Sequence, residues 1–69
     1  MKKLSSYQLQ VLTELLNDWQ NAFNEKNEYW CNYRSGVYAG FIRCLIASGY
    51  ETKEIQVTFQ DALKKFSLV

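Results

Sequence analysis

The chain has 69 residues, of which 48% are hydrophobic and 16% aromatic, with no proline and no histidine. That length holds one small domain and excludes a second core, and the composition is not that of a disordered chain. Eight Lys/Arg stand against seven Asp/Glu, which excludes nucleic-acid binding driven by bulk positive charge.

The first four residues read as a tail. Ser5 is a candidate N-cap with Gln8 three residues on, the spacing of a capping box, and Leu4 and Leu9 occupy the two positions of a hydrophobic staple. Leu9, Leu12, Leu16, Trp19 and Phe23 then recur at helical spacing, widened by Val11 and Leu15. The same frame runs on through Trp30, Tyr33, Val37, Gly40, Cys44 and Ala47, interrupted by Lys26. Two structures satisfy it. One is a continuous helix over about 6–48; the other is a hairpin broken near 24–28. The asparagines at 24 and 27 favour a turn. The unbroken frame and the lack of Gly or Pro there favour continuity with a kink. A helix that long cannot bury its stripe on one short partner, so continuity implies a homo-oligomer.

Gly49 fits the left-handed position after a helix end, leaving a turn over 49–51. Thr52 is the next N-cap, with Glu54 in the first turn. Ile55, Phe59, Ala62, Leu63 and Phe66 mark a shorter helix over about 52–66. The expectation is therefore an all-α domain, a long N-terminal helix plus a shorter C-terminal one, packed in a homo-oligomer.

No catalytic residues stand out. There is no histidine, no Gly-rich phosphate loop and no nucleophile with a base beside it in sequence. The chain is read as a non-enzyme without a cofactor. Two cysteines without histidine cannot complete a four-ligand zinc site within one chain. On one helix, Cys31 and Cys44 would lie about 140° apart and could not bond to each other. Lone thiols fit a reducing compartment. The longest apolar stretch, Val37 to Ala47, is short for a membrane span and contains Arg43. Met1-Lys2-Lys3 mimics a signal-peptide start, but Ser5, Ser6, Gln8, Gln10 and Glu14 break up the apolar run such a peptide needs. The reading is a cytoplasmic, unprocessed protein.

Four surface features are candidates for function. Gly36, Gly40, Cys44 and Ser48 sit four apart, flanked by Ala39 and Ala47. Two mid-helix glycines, each costing about 1 kcal/mol against Ala, call for a reason. A groove for a closely approaching helix supplies one: the final helix of the same chain, or a self-dimer seam. Glu14, Asp18, Glu25 and Glu28 form an acidic stripe, with Lys26 the one cation between Tyr7 and Trp30. It reads either as a solvated face or as a surface for a basic partner. Trp30, Arg34 and Tyr38 form an aromatic–arginine stripe of the residue types richest in binding hot spots. Part of it must be core, and Arg34 and Tyr38 are the members least needed inside. Lys53, Gln56, Gln60 and Lys64 line one face of the last helix, as in a helix-turn-helix, but Glu51, Glu54 and Asp61 crowd it.

The leading reading is a small protein-binding module that blocks or adapts another macromolecule by occlusion, in the style of a phage or mobile-element accessory protein. Its partner-binding residues are Glu14, Asp18, Glu25, Glu28, Trp30, Arg34 and Tyr38; its helix-packing residues are Gly36, Gly40, Cys44 and Ser48. One alternative is an oligomeric binder or sponge for a nucleotide, with aromatic rings and a guanidinium as the stacking site. The other, disfavoured by the acidic residues, is a helix-turn-helix DNA-binding regulator.

Overall fold

The computed structural model describes residues 2–68. It is all-α, with helices α1 (Ser6–Asn24), α2 (Glu28–Ala47) and α3 (Lys53–Lys65). No helix among the described residues is long and apolar enough to cross a membrane.

The capping box at the start of α1 is formed. The Ser5 hydroxyl accepts from the Gln8 amide at 3.1 Å, and the Gln8 side chain accepts from the Ser5 amide at 2.8 Å. Two of the unpaired donors at the helix start are thereby satisfied.

The continuous helix favoured by the hydrophobic frame does not form. The chain breaks at Glu25–Asn27 and doubles back, so that Trp19 of α1 meets Cys31 of α2 and Asp18 meets Arg34. The break has a defined chemistry. Lys26 sits at φ 56°, in the left-handed region. Its amide donates to the Phe23 carbonyl, and the Asn27 amide donates to the Ala22 carbonyl, both at 3.0 Å. That pair of bonds is a Schellman motif with lysine where glycine usually stands. Asn27 immediately caps α2, its side-chain oxygen accepting from the Trp30 amide at 3.0 Å. Helix end and helix start thus share three residues.

The end of α2 repeats the device with the expected residue. Gly49 lies at φ 82°, its amide donating to Ile46 and the Tyr50 amide to Leu45. The segment before α1 is pinned to this turn. The Lys2 amide donates to the Gly49 carbonyl at 3.1 Å, and the Glu51 amide donates to the Lys2 carbonyl at 2.7 Å. The Lys2 ammonium lies 5.4 Å from the centre of the Tyr50 ring. Thr52 precedes α3, but its hydroxyl makes no cap bond to the backbone; it accepts from the Gln56 side chain at 2.9 Å.

The core is aromatic and centres on Trp19, which is 1% exposed. Its ring lies 5.6–6.1 Å from those of Tyr38, Phe59 and Phe66, separations at which tilted and edge-on rings attract beyond their burial. Phe23 meets Phe66 at 5.5 Å, and Tyr38 stacks on Phe59 at 5.6 Å. Cys31 satisfies the polar edges of this cluster. Its sulfur accepts from the indole N–H of Trp19 at 3.2 Å, and its thiol donates to the Phe66 carbonyl at 2.9 Å. One buried thiol therefore joins all three helical segments. Leu12, Ala22, Ile42, Leu45, Ile55 and Ala62 fill the remainder.

Doubling back resets the helical phase. On α1 the frame residues Leu12 and Trp19 face the core, with Leu16 and Phe23 packed against it. On α2 the buried residues are Cys31, Tyr38, Ile42 and Leu45. The residues that continued the frame (Trp30, Tyr33, Val37, Gly40, Cys44 and Ala47) are all exposed. A reversal through a left-handed residue does not preserve the angular frame of a straight helix, so the two halves of the stripe part company.

Candidate interaction surfaces

α1 carries Glu14 and Asp18, and Glu25 is its C-cap. Glu14, Asp18, Asn21 and Glu25 follow four-three-four spacing and are all exposed, so they form one row about 16 Å long. Glu28 lies beyond the turn in the first turn of α2, also exposed, where its charge complements the helix dipole. The Gln10 amide reaches the Glu14 carboxylate at 3.4 Å. Arg34 approaches this helix but bonds the backbone carbonyl of Asp18 at 2.7 Å, leaving its carboxylate aside.

The aromatic–arginine stripe divides. Tyr38 is 2% exposed and stacked in the core, so it cannot anchor a partner, contrary to the expectation that it was dispensable inside. Burial pushes its phenol above the ordinary value of 10.0. Trp30 stays on the surface. The Arg34 guanidinium lies 5.4 Å from its ring centre, and Tyr29 and Tyr33 meet it edge-on at 5.2 and 5.5 Å. Arg34 thus ties α1 to α2 and props Trp30 at the same time. Tyr29 (69% exposed) and Tyr33 (56%) complete a surface aromatic cluster. The hydrophobic frame assigned Tyr33 to the core and gave Tyr29 no role.

The small residues of α2 are exposed and have no occupant within the chain. Gly36, Gly40, Cys44 and Ser48 are exposed. A Cβ on Gly36 or Gly40 would meet nothing within 4 Å. α3 therefore does not seat there, which removes the intrachain explanation of these glycines. Cys44 is an exposed free thiol, and Cys31 a buried one.

On α3, Lys53, Gln56, Gln60 and Lys64 are exposed along one face, together with Val57, and Glu51, Glu54 and Asp61 are exposed as well. One surface depression is lined by Lys3, Leu4, Leu9, Glu51, Glu54 and Ile55, and another by Phe23, Asn24, Lys26, Glu28 and Leu68. Neither includes the aromatic cluster of α2. Among the described residues no three His, Cys, Asp or Glu side chains gather as a metal site.

Comparison of the chain with protein-family models, with curated proteins and with solved structures finds no match.

Proposed function

We propose that this chain is a non-enzymatic protein-binding module that blocks or adapts another macromolecule by covering it. The row Glu14, Asp18 and Glu25 meets a basic surface of the partner; Glu28, across the turn on α2, no longer belongs to it. The observation that carries this reading is the row itself: one sign of charge, exposed, along a single capped helix. A preorganised stripe of one sign steers a partner of the other sign and fixes its register. The chain as a whole is near neutral, so attraction is local to α1 and orients the encounter.

The test is capture by the immobilised chain from a bacterial lysate, run beside the Glu14→Lys/Asp18→Lys double variant. Proteins retained by the wild type are expected to elute with salt and to be missing from the variant. Identical retention by a variant of unchanged helicity would refute the reading.

The exposed row Lys53, Gln56, Gln60 and Lys64 supports a second reading, as a DNA-binding regulator. A gel shift that falls steeply with salt and vanishes in Gln56→Ala would favour it.

A further inference from the structure

We propose that α2 pairs with α2 of a second copy of this chain, antiparallel, about a two-fold axis near Gly36 and Val37. The aromatic ridge at the start of each helix seats in the glycine groove toward the end of the other.

The first argument is that α2 is apolar on both sides. Its inner side carries Cys31, Tyr38, Ile42 and Leu45 and packs in the core. The opposite side carries Tyr29, Tyr33, Gly36, Gly40, Cys44 and Ala47, spaced four-three-four-four-three and all exposed. A helix that is apolar all round is one that is buried all round. Inside this chain only half of that condition is met.

The second argument is shape. Bulk lies at one end of the outer face and is missing at the other. Tyr29, Trp30 and Tyr33 project from the first third of the helix, with their rings locked edge to face. Gly36 and Gly40 present bare backbone, with open space where a Cβ would be. A parallel pair would set ridge on ridge and groove against groove. An antiparallel pair sets each ridge over a groove, and Gly36 at the crossing lets the two backbones approach. The structural cost of two mid-helix glycines, without a reason inside the chain, thereby gains one.

Charge agrees with the same orientation. Glu28 lies in the first turn of α2 and Arg43 near its end, both exposed. Antiparallel pairing brings Arg43 toward Glu28 and the Tyr29 ring of the other copy, twice over. Parallel pairing would bring Arg43 beside Arg43. The antiparallel arrangement also opposes the two helix dipoles.

The area is sufficient. Tyr29, Trp30, Tyr33 and Val37 are 69, 42, 56 and 38% exposed. With roughly 150–250 Å² for each aromatic side chain, and the small residues between them, each copy contributes on the order of 500 Å². With these side chains fully covered the pair buries about 1,000 Å², the lower limit for a specific interface.

The test uses the full chain in native mass spectrometry and sedimentation equilibrium across a range of concentrations. The wild type is expected at twice the 8.1 kDa chain mass. Gly40→Leu is expected at 8.1 kDa with its helicity retained, since its own chain leaves that space empty. Tyr33→Glu, altering an exposed ring, is expected to give the same monomer. Cys44 reports orientation. In the antiparallel pair the two Cys44 residues lie about 20 Å apart along the axis, so mild oxidation leaves the wild type without a disulfide. Tyr29→Cys brings a second thiol level with Cys44 of the other copy and yields a covalent dimer. A wild type that stays monomeric throughout overturns the proposal, as does a monomer that holds a different protein on the Tyr33 face. Gly40→Leu and Tyr33→Glu variants that both remain dimeric overturn the assigned face. A wild-type Cys44–Cys44 dimer overturns the antiparallel arrangement. Glu14→Lys/Asp18→Lys is expected to remain dimeric, which separates this result from the fate of the acidic row.

Discussion

Replacing Lys26 by glycine is expected to stabilise this protein, the reverse of what glycine does inside a helix. Lys26 holds φ 56° and its side chain is exposed. A residue with a Cβ pays roughly 1–2 kcal/mol to sit in the left-handed region. Glycine does not, though its greater freedom in the unfolded chain takes back about 0.5–1 kcal/mol. The lysine side chain has no hydrogen bond to lose here, and both Schellman bonds, from the amides of residues 26 and 27, survive the change. The net gain is about 0.5–1 kcal/mol, or roughly 3–6 °C in Tm for a chain of this size. In a continuous helix the same substitution would cost close to 1 kcal/mol, so the sign separates the two topologies. Urea unfolding followed by Trp fluorescence and by helical circular dichroism, at equal chain concentrations, gives the number. Lys26→Ala is the control: alanine carries a Cβ and should leave the midpoint nearly unchanged. A lower midpoint for Lys26→Gly than for Lys26→Ala would refute the turn and the reasoning built on it.

The two thiols should differ sharply. In the Tyr33→Glu variant, expected to be monomeric, a thiol reagent should modify one cysteine per native chain, Cys44, and both in denaturant, because Cys31 is buried in the core. Cys31→Ala should lose about 1–3 kcal/mol, since it leaves the Trp19 N–H and the Phe66 carbonyl without their partner; an unchanged urea midpoint would count against that bridge. Tyr38 should make the fold sensitive to alkali. Burial holds its phenol above 10.0, so the unfolded chain releases that proton first. Stability from this group is full below pH 10 and falls as pH rises beyond it. Tyr38→Phe should flatten that part of the urea-midpoint profile measured against pH, and parallel profiles for the two proteins would contradict the assignment.

What the sequence determined by itself was local. The all-α class, the capping box of Ser5 and Gln8, the Gly49 stop and the inward stripe of α1 from Leu12 on are all set by neighbouring residues, because caps and periodicity act within one or two turns, although Leu9, the expected first member of that stripe, is exposed. The turn at Glu25–Asn27 was half visible. Its cap, Asn27, belongs to the expected residue class, but its left-handed position holds lysine, and no composition signal marks a lysine that adopts φ > 0. Without that break, the side of α2 that faces the core could not be read. The aromatic residues occur around the whole helix, so periodicity alone did not choose between Tyr38 and Tyr33. Tertiary structure made the choice. Trp19, Phe59 and Phe66 converge on Tyr38, and the thiol of Cys31 accepts one polar edge of that cluster and donates to another. With that side filled, Tyr29, Tyr33, Gly36 and Gly40 were left facing outward. Local interactions fixed where the helices start and stop, whereas the packing of one indole ring, distant in sequence from its partners, decided which face of α2 remained to meet another molecule.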